Sequence, residues 1–169
     1  MPAITEEERA LIGKETEPVP APYAVNEAMA RFWCEMVEDP NPIYFDEAYA
    51  RTTWLQGRFA PPAMLFTWGM HPVWPESHRE SPLSRLDLEG CTSTIAVNAV
   101  QEYFMPIRYG DTLTVTRQVS AISDEKTTRL GSGHFVTTMD TFRNQLGQAV
   151  GTHSFTLFMY RPHAAGGEA

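Results

Sequence analysis

Nine residues, Glu38-Asp39-Pro40-Asn41-Pro42-Ile43-Tyr44-Phe45-Asp46, gather acidic, amide and phenolic side chains on a segment stiffened by two prolines. A carboxylate held in such a loop can take a proton from a water molecule and turn it into a nucleophile. Completing that chemistry needs a second group that hands a proton back near neutral pH, and imidazole is the side chain suited to the task. Five residues after Asp39 the chain offers Tyr44 instead. A phenol with a pKa of ~10 stays protonated at neutral pH and does not shuttle protons. Half of an acid–base device is therefore present. Each residue also has a plainer use: Asp39 and Asn41, both followed by proline, are ordinary turn formers, and Tyr44 serves packing or hydrogen bonding.

The segment resembles the MaoC-like (R)-specific hydratases and dehydratases, whose pattern runs G-D-x-N-P-[LIV]-H-x-D after a helix. Asp39, Asn41, Pro42, Ile43 and Asp46 fit that pattern, while Glu38 replaces the glycine and Tyr44 the histidine. Gly57-Arg58-Phe59-Ala60-Pro61-Pro62-Ala63-Met64-Leu65 is similar to the family's G-R-I-A-H-G-M-L entry into a central helix, with Pro62 in the place of a glycine. The resemblance implies that this glycine's N–H polarises the thioester carbonyl in active members, and proline has no N–H to offer. Tyr103-Phe104-Met105-Pro106-Ile107-Arg108-Tyr109-Gly110-Asp111-Thr112-Leu113 resembles the family's aromatic-x-P-[IV]-x-x-G-D-x-L strand–turn–strand. Within the family the chain is similar to the degenerate N-terminal dehydratase-domain type. Ala60 to Met64 and Lys126 to Phe135 resemble the larger subunit of actinobacterial steroid side-chain enoyl-CoA hydratases.

That resemblance implies an α+β hot-dog fold, an antiparallel sheet wrapped around a buried central helix. It implies a coenzyme A thioester as substrate, no separate cofactor, no metal, and a bulky, steroid-like acyl group. It also implies a partner: a second hot-dog MaoC-like chain with an intact Asp/His dyad, in whose absence this chain forms a homodimer. Asp39 and Tyr44 are then the remains of the catalytic pair, and Asn41, Ala60, Pro62, Met64 and Trp68 border the substrate.

Elements to carry these residues can be read from the apolar spacing. Asn26 is a fitting N-cap for a helix whose apolar residues Met29, Phe32, Trp33, Met36 and Val37 recur at helical spacing, and Pro40 ends it, which leaves Asp39 in a loop. A second helix should start at Pro61-Pro62 and run through Met64, Leu65, Trp68 and Met70, apolar nearly all round and hence buried. Met64, Trp68, Met70 and Trp74 offer an adaptable apolar lining or simple core. Residues 71–90 read as a long excursion fit for a lid or an interface loop. Strands are expected over 92–104, 112–122, 128–142 and 148–160, with turns at Gly110-Asp111, 123–126 and 144–147. Pro18, Pro20 and Pro22 mark residues 1–24 as a loosely ordered lead, 25–162 as the domain, and 163–169 as a disordered tail.

The 169 residues suffice for one compact core without disulfide or metal support. A net charge of −8 disfavours nucleic acid and anionic membrane as partners, because both are met by basic patches. Two cysteines, Cys34 and Cys91, show neither metal-ligand spacing nor an obvious pairing, which together with the absence of any apolar run of ~18 residues points to the cytoplasm. His134 and His153 fall in expected strands and read as satisfied strand histidines. No G-x-S-x-G elbow, H-E-x-x-H or phosphate-binding loop competes. The reading is a non-catalytic or weakly catalytic half of a heteromeric enoyl-CoA hydratase. Its rivals are a self-sufficient hydratase using Asp39 with Tyr44 orienting water, a non-enzymatic acyl-thioester-binding protein, and a hot-dog thioesterase.

Overall fold

A computed structural model describes residues 4–74 and 81–163, so most of the expected tail and the middle of the 71–90 excursion lie outside the described residues. Short helices α1 (Glu6–Arg9), α2 (Glu27–Val37), α3 (Glu47–Thr52) and α4 (Leu65–Trp68) accompany strands β1 (Val19–Pro20), β2 (Ser93–Tyr103), β3 (Thr114–Ile122), β4 (Lys126–Thr127), β5 (Gly131–Arg143) and β6 (Ala149–Pro162). The strands form one antiparallel sheet in the order β1-β3-β5-β6-β2, with β4 added to β5. The four expected long strands are all present, each within a few residues of the expected bounds.

α2 starts where a cap was expected, with Asn26 Oδ1 accepting from the Met29 N–H at 2.9 Å. Its buried face is Ala30 and Cys34, flanked by Met29 and Trp33, whereas Phe32, Met36 and Val37 point to solvent. The expected apolar stripe is thus split across two faces. The central helix is shorter than expected: a 3-10 turn, Pro62–Met64, leads into the single α-turn of α4, and Met70 lies beyond it, exposed. Gly69 and Pro72, close behind the start, stop it after a single α-turn.

Met64, Leu65 and Trp68 press this helix onto Val115, Phe142 and Val150 of the inner sheet face. Farther along the strands a second covering takes over, where Leu83, Leu86 and Leu88 pack against Val119 and Val136. The described part of the 71–90 excursion therefore builds core there, because its leucines meet the inner face of β3 and β5.

The lead is more organised than its prolines led one to expect. Thr5 and Glu8 form a capping box on α1. Beyond it Gly13 and Thr16 donate to Val119 and Arg117 carbonyls, and Val19 pairs with Val115. Proline lacks one donor but leaves its neighbours free to bond, and they seal the outer edge of β3. The opposite edge, β2, is not covered by any described element. The Gly69→Ala variant tests how tightly α4 is seated: its Cβ would come within 2.8 Å of the fully buried Phe142 ring and 3.3 Å of Val115. Chemical denaturation should show a loss of ~1–3 kcal/mol, the scale of overpacking.

Candidate functional site

At the end of α2 the chain turns through Glu38, whose φ of 57° and ψ of 41° place it in the left-handed region. That is where glycine is the ordinary residue, and it is the position where the resemblance expects one. The loop that follows is held by its own side chains. Asp39 Oδ1 accepts from the Asn41 N–H at 3.1 Å, and Asn41 Oδ1 accepts from the Ile43 N–H at 3.1 Å. Asp46 then caps α3 by accepting from the Tyr49 N–H at 3.0 Å. Asp39 and Asn41 thus do the work of turn formers.

Tyr44 is turned inward and only 8% exposed. Its ring stands edge-on to Phe45 at 6.1 Å and Phe59 at 5.6 Å, in a small core with Cys34. Burial pushes the phenol above its usual range, and the nearby Asp39 carboxylate pushes it further in the same direction. The same two causes raise the Cys34 thiol. Tyr44 is therefore a ring that packs and stays protonated.

Arg58 anchors the surrounding loop. Its Nη1 donates to Glu27 at 2.6 Å, its Nε to Glu47 at 3.2 Å, and its guanidinium lies over the Tyr109 ring. Hydrogen bonds from Arg31 and then Arg58 hold the Glu27 carboxyl below the usual range. Arg108 donates to the Leu55 and Arg58 carbonyls, tying the segment ahead of the central helix to the corner between β2 and β3.

Apart from Asn41 and Tyr44, the expected site residues end up in three places. Asp39 borders an open groove of about 440 Å³ along α2, with Arg31, Glu35 and Phe45. Ala60 and Pro62 border a different cavity of about 310 Å³, which Phe59, Tyr103, Phe104 and Met105 line at the open edge of the sheet. The Ala60 N–H is already used, donating to Ile107 at 2.8 Å, and Pro62 has none. Met64 and Trp68, expected beside substrate, are instead interior core. Trp54, 86% exposed, extends the apolar surface around the second cavity.

A family model described as FAS1-like, dehydratase domain region, matches residues 10–153. The chain belongs to this FAS1-like dehydratase family. Among curated members, a probable enoyl-CoA hydratase alpha subunit of Thermomonospora curvata is 38% identical over 145 residues, covering 82% of this chain and 46% of the relative. The 3-oxo-4,17-pregnadiene-20-carboxyl-CoA hydratase alpha subunit of Mycobacterium tuberculosis is 34% identical over 116 residues, covering 66% of this chain and 37% of that one. The chain spans less than half the length of these relatives. A chain in the crystal structure of the ChsH1-ChsH2 complex from Mycobacterium tuberculosis superposes with a TM-score of 0.81 at 26% identity, over 89% of this chain and 86% of that one. A MaoC-like dehydratase from Rhodospirillum rubrum superposes at a TM-score of 0.62 with 22% identity, over 90% and 94% of the two chains. The hot-dog fold of the dehydratase family is thereby established for this chain.

Residues of this dehydratase-family domain that sequence reasoning passed over lie on the inner sheet face. Arg117 Nε donates to Asp140 Oδ2 at 3.0 Å, and His153 sits directly across from Asp140. The available signal was strand alternation: Arg117 shares a face with Val115 and Val119, and Asp140 with Phe142, so both are polar residues in an apolar phase. His134, by contrast, is satisfied as expected, its Nδ1 lying 2.9 Å from the Ser123 carbonyl oxygen.

The turn reading makes Asp39→Ala cost ~0.5–2 kcal/mol in stability, the scale of a lost cap, while Asp39→Asn keeps the acceptor and costs little. Thermal unfolding of the two variants distinguishes these outcomes. Glu38→Gly should raise stability by ~0.5–1 kcal/mol in the same measurement, by relieving the left-handed backbone.

Proposed function

We propose that this chain is the hydratase-like domain of the alpha subunit of a heteromeric enoyl-CoA hydratase and that it does not itself carry the proton-transfer pair. The observation that carries this reading is Tyr44, packed edge-on against Phe45 and Phe59 in the place where acid–base chemistry needs an imidazole. The missing N–H at Pro62 supports it independently, since one lost oxyanion donor typically costs ~10²–10³ in rate. The names of the relatives, both alpha subunits, support a second kind of chain in the assembly.

In this reading the partner is a hot-dog chain with an intact Asp/His dyad, and it pairs along β2. The strand is 11 residues long and bears exposed Ile95, Val97, Val100 and Tyr103, a surface of the kind that recruits another strand. The substrate is a coenzyme A thioester with a bulky acyl group, hydrated without a further cofactor. The thioester lies in the partner's half and the acyl group reaches into this one. Among the described residues no helix is long and apolar enough to cross a membrane, and we assign the work to the cytoplasm.

Two assays test the proposal. The purified chain alone should hydrate an enoyl-CoA at least ~10²-fold more slowly than the same chain mixed with the MaoC-like chain encoded beside it. Tyr44→His should not rescue the isolated chain, because Pro62 still offers no donor. Full turnover by the chain alone would overturn the reading in favour of a self-sufficient hydratase.

A further inference from the structure

Between the two coverings of the inner sheet face, α4 on one side and the leucines of residues 83–88 on the other, lies a cavity of about 240 Å³. The row of side chains on its sheet wall is polar. Arg117 of β3 is opposite Asp140 of β5, Asp140 is opposite His153 of β6, and His153 is opposite Gln101 of the open-edge strand β2. Burying such a row is unfavourable unless its hydrogen-bonding capacity is used. Arg117 and Asp140 form an ion pair at 3.0 Å. His153 is 7% exposed, lines the cavity, and its ring makes no hydrogen bond among the described residues. Its neighbours are aromatic faces, Phe66 with its centroid at 4.4 Å and Phe155 at 6.0 Å.

We propose that His153 is a specificity-determining residue that gives a hydrogen bond to a neutral oxygen, a ketone or hydroxyl, on a flat apolar ring system entering this cavity. The charge of the site selects for neutrality. Arg117 and Asp140 are of opposite sign and paired, and burial of the His153 ring lowers its pKa, so these three side chains offer no excess positive charge with which to hold a phosphate or carboxylate. The aromatic walls select for flatness. The position selects for a ligand arriving from the partner's side. His153 is one strand, ~4.8 Å, inside the open edge, and Gln101 precedes it on the same row. This inference rests on the proposed function in one respect: the ligand is taken to be the far end of the acyl group whose thioester the partner holds.

The test reads binding rather than turnover. The full chain, with and without its partner hydratase chain, is prepared with ¹³C-labelled histidine and titrated with 2-decalone, a fused two-ring ketone, and with decalin, the same skeleton without oxygen. The His153 ring signal, assigned by its loss in His153→Gln, should shift with 2-decalone and not with decalin, and the ketone should bind about tenfold more tightly. His153→Phe should bind both probes alike, while His153→Gln, which keeps an amide donor, should retain most of the preference. Equal binding of the two probes by the unaltered chain, or a preference that survives in a folded His153→Phe, would overturn the inference. A complex that hydrates enoyl-CoAs without preferring the ketone removes this inference alone. One that prefers the ketone but never hydrates supports it and removes the proposed function.

Discussion

Leu65, Trp68 and Gly69 bring the central helix onto Val115, Phe142 and Gly151 so closely that a Cβ on either glycine would come within 2.8 Å of a side chain across the contact. This close approach, rather than helix length, seats the helix on the sheet. Pro62–Trp68 is about 10–12 Å of helix lying on strands of 13 and 14 residues that run for about 43 Å, so the helix covers only part of the inner face. The uncovered remainder must be filled by something else. At one end it is filled by leucines from residues 83–88, and between them remains the polar row with its cavity.

The loop after α2 is shaped by its own backbone requirements. Glu38 holds the left-handed backbone of a glycine, Asp39 and Asn41 hold turn hydrogen bonds, and Asp46 caps α3. These are demands of the backbone, and each is met by the residue present. Tyr44 and Pro62 meet no demand for proton transfer or for an N–H donor, and they meet packing demands well.

The two edges of the sheet are treated in opposite ways. Residues 12–20 run along β3 and satisfy its free backbone groups, whereas among the described residues nothing pairs with the outer edge of the 11-residue β2, and apolar side chains are exposed along it. An edge left in that state is a liability for an isolated chain and an asset for one that pairs. The cavity bordered by Ala60, Pro62 and Tyr103 opens at this edge, so whatever pairs there also completes its wall.

Much of this was legible in the residues themselves. Strand and turn residues announced the four long strands, Asn26 and Pro40 bounded α2, and the D-x-N-P run pointed to the family, because each depends on local backbone chemistry or on residue type at a fixed spacing. Where the sequence reading fell short, the deciding contacts were long-range. Phe32 and Met36 have helical spacing yet face solvent, since the sheet-side core takes Ala30 and the Tyr44–Phe59 cluster takes Cys34. The proline-rich lead pairs with β3 because that strand had free backbone groups to offer. Above all, Arg117, Asp140 and His153 are separated by many residues in the chain and became neighbours only through strand register, which fixes which side chains share a row and which face of the sheet they occupy. Residue chemistry alone pointed to the family; the pairing of strands across the sheet decided which polar side chains share a row on its inner face.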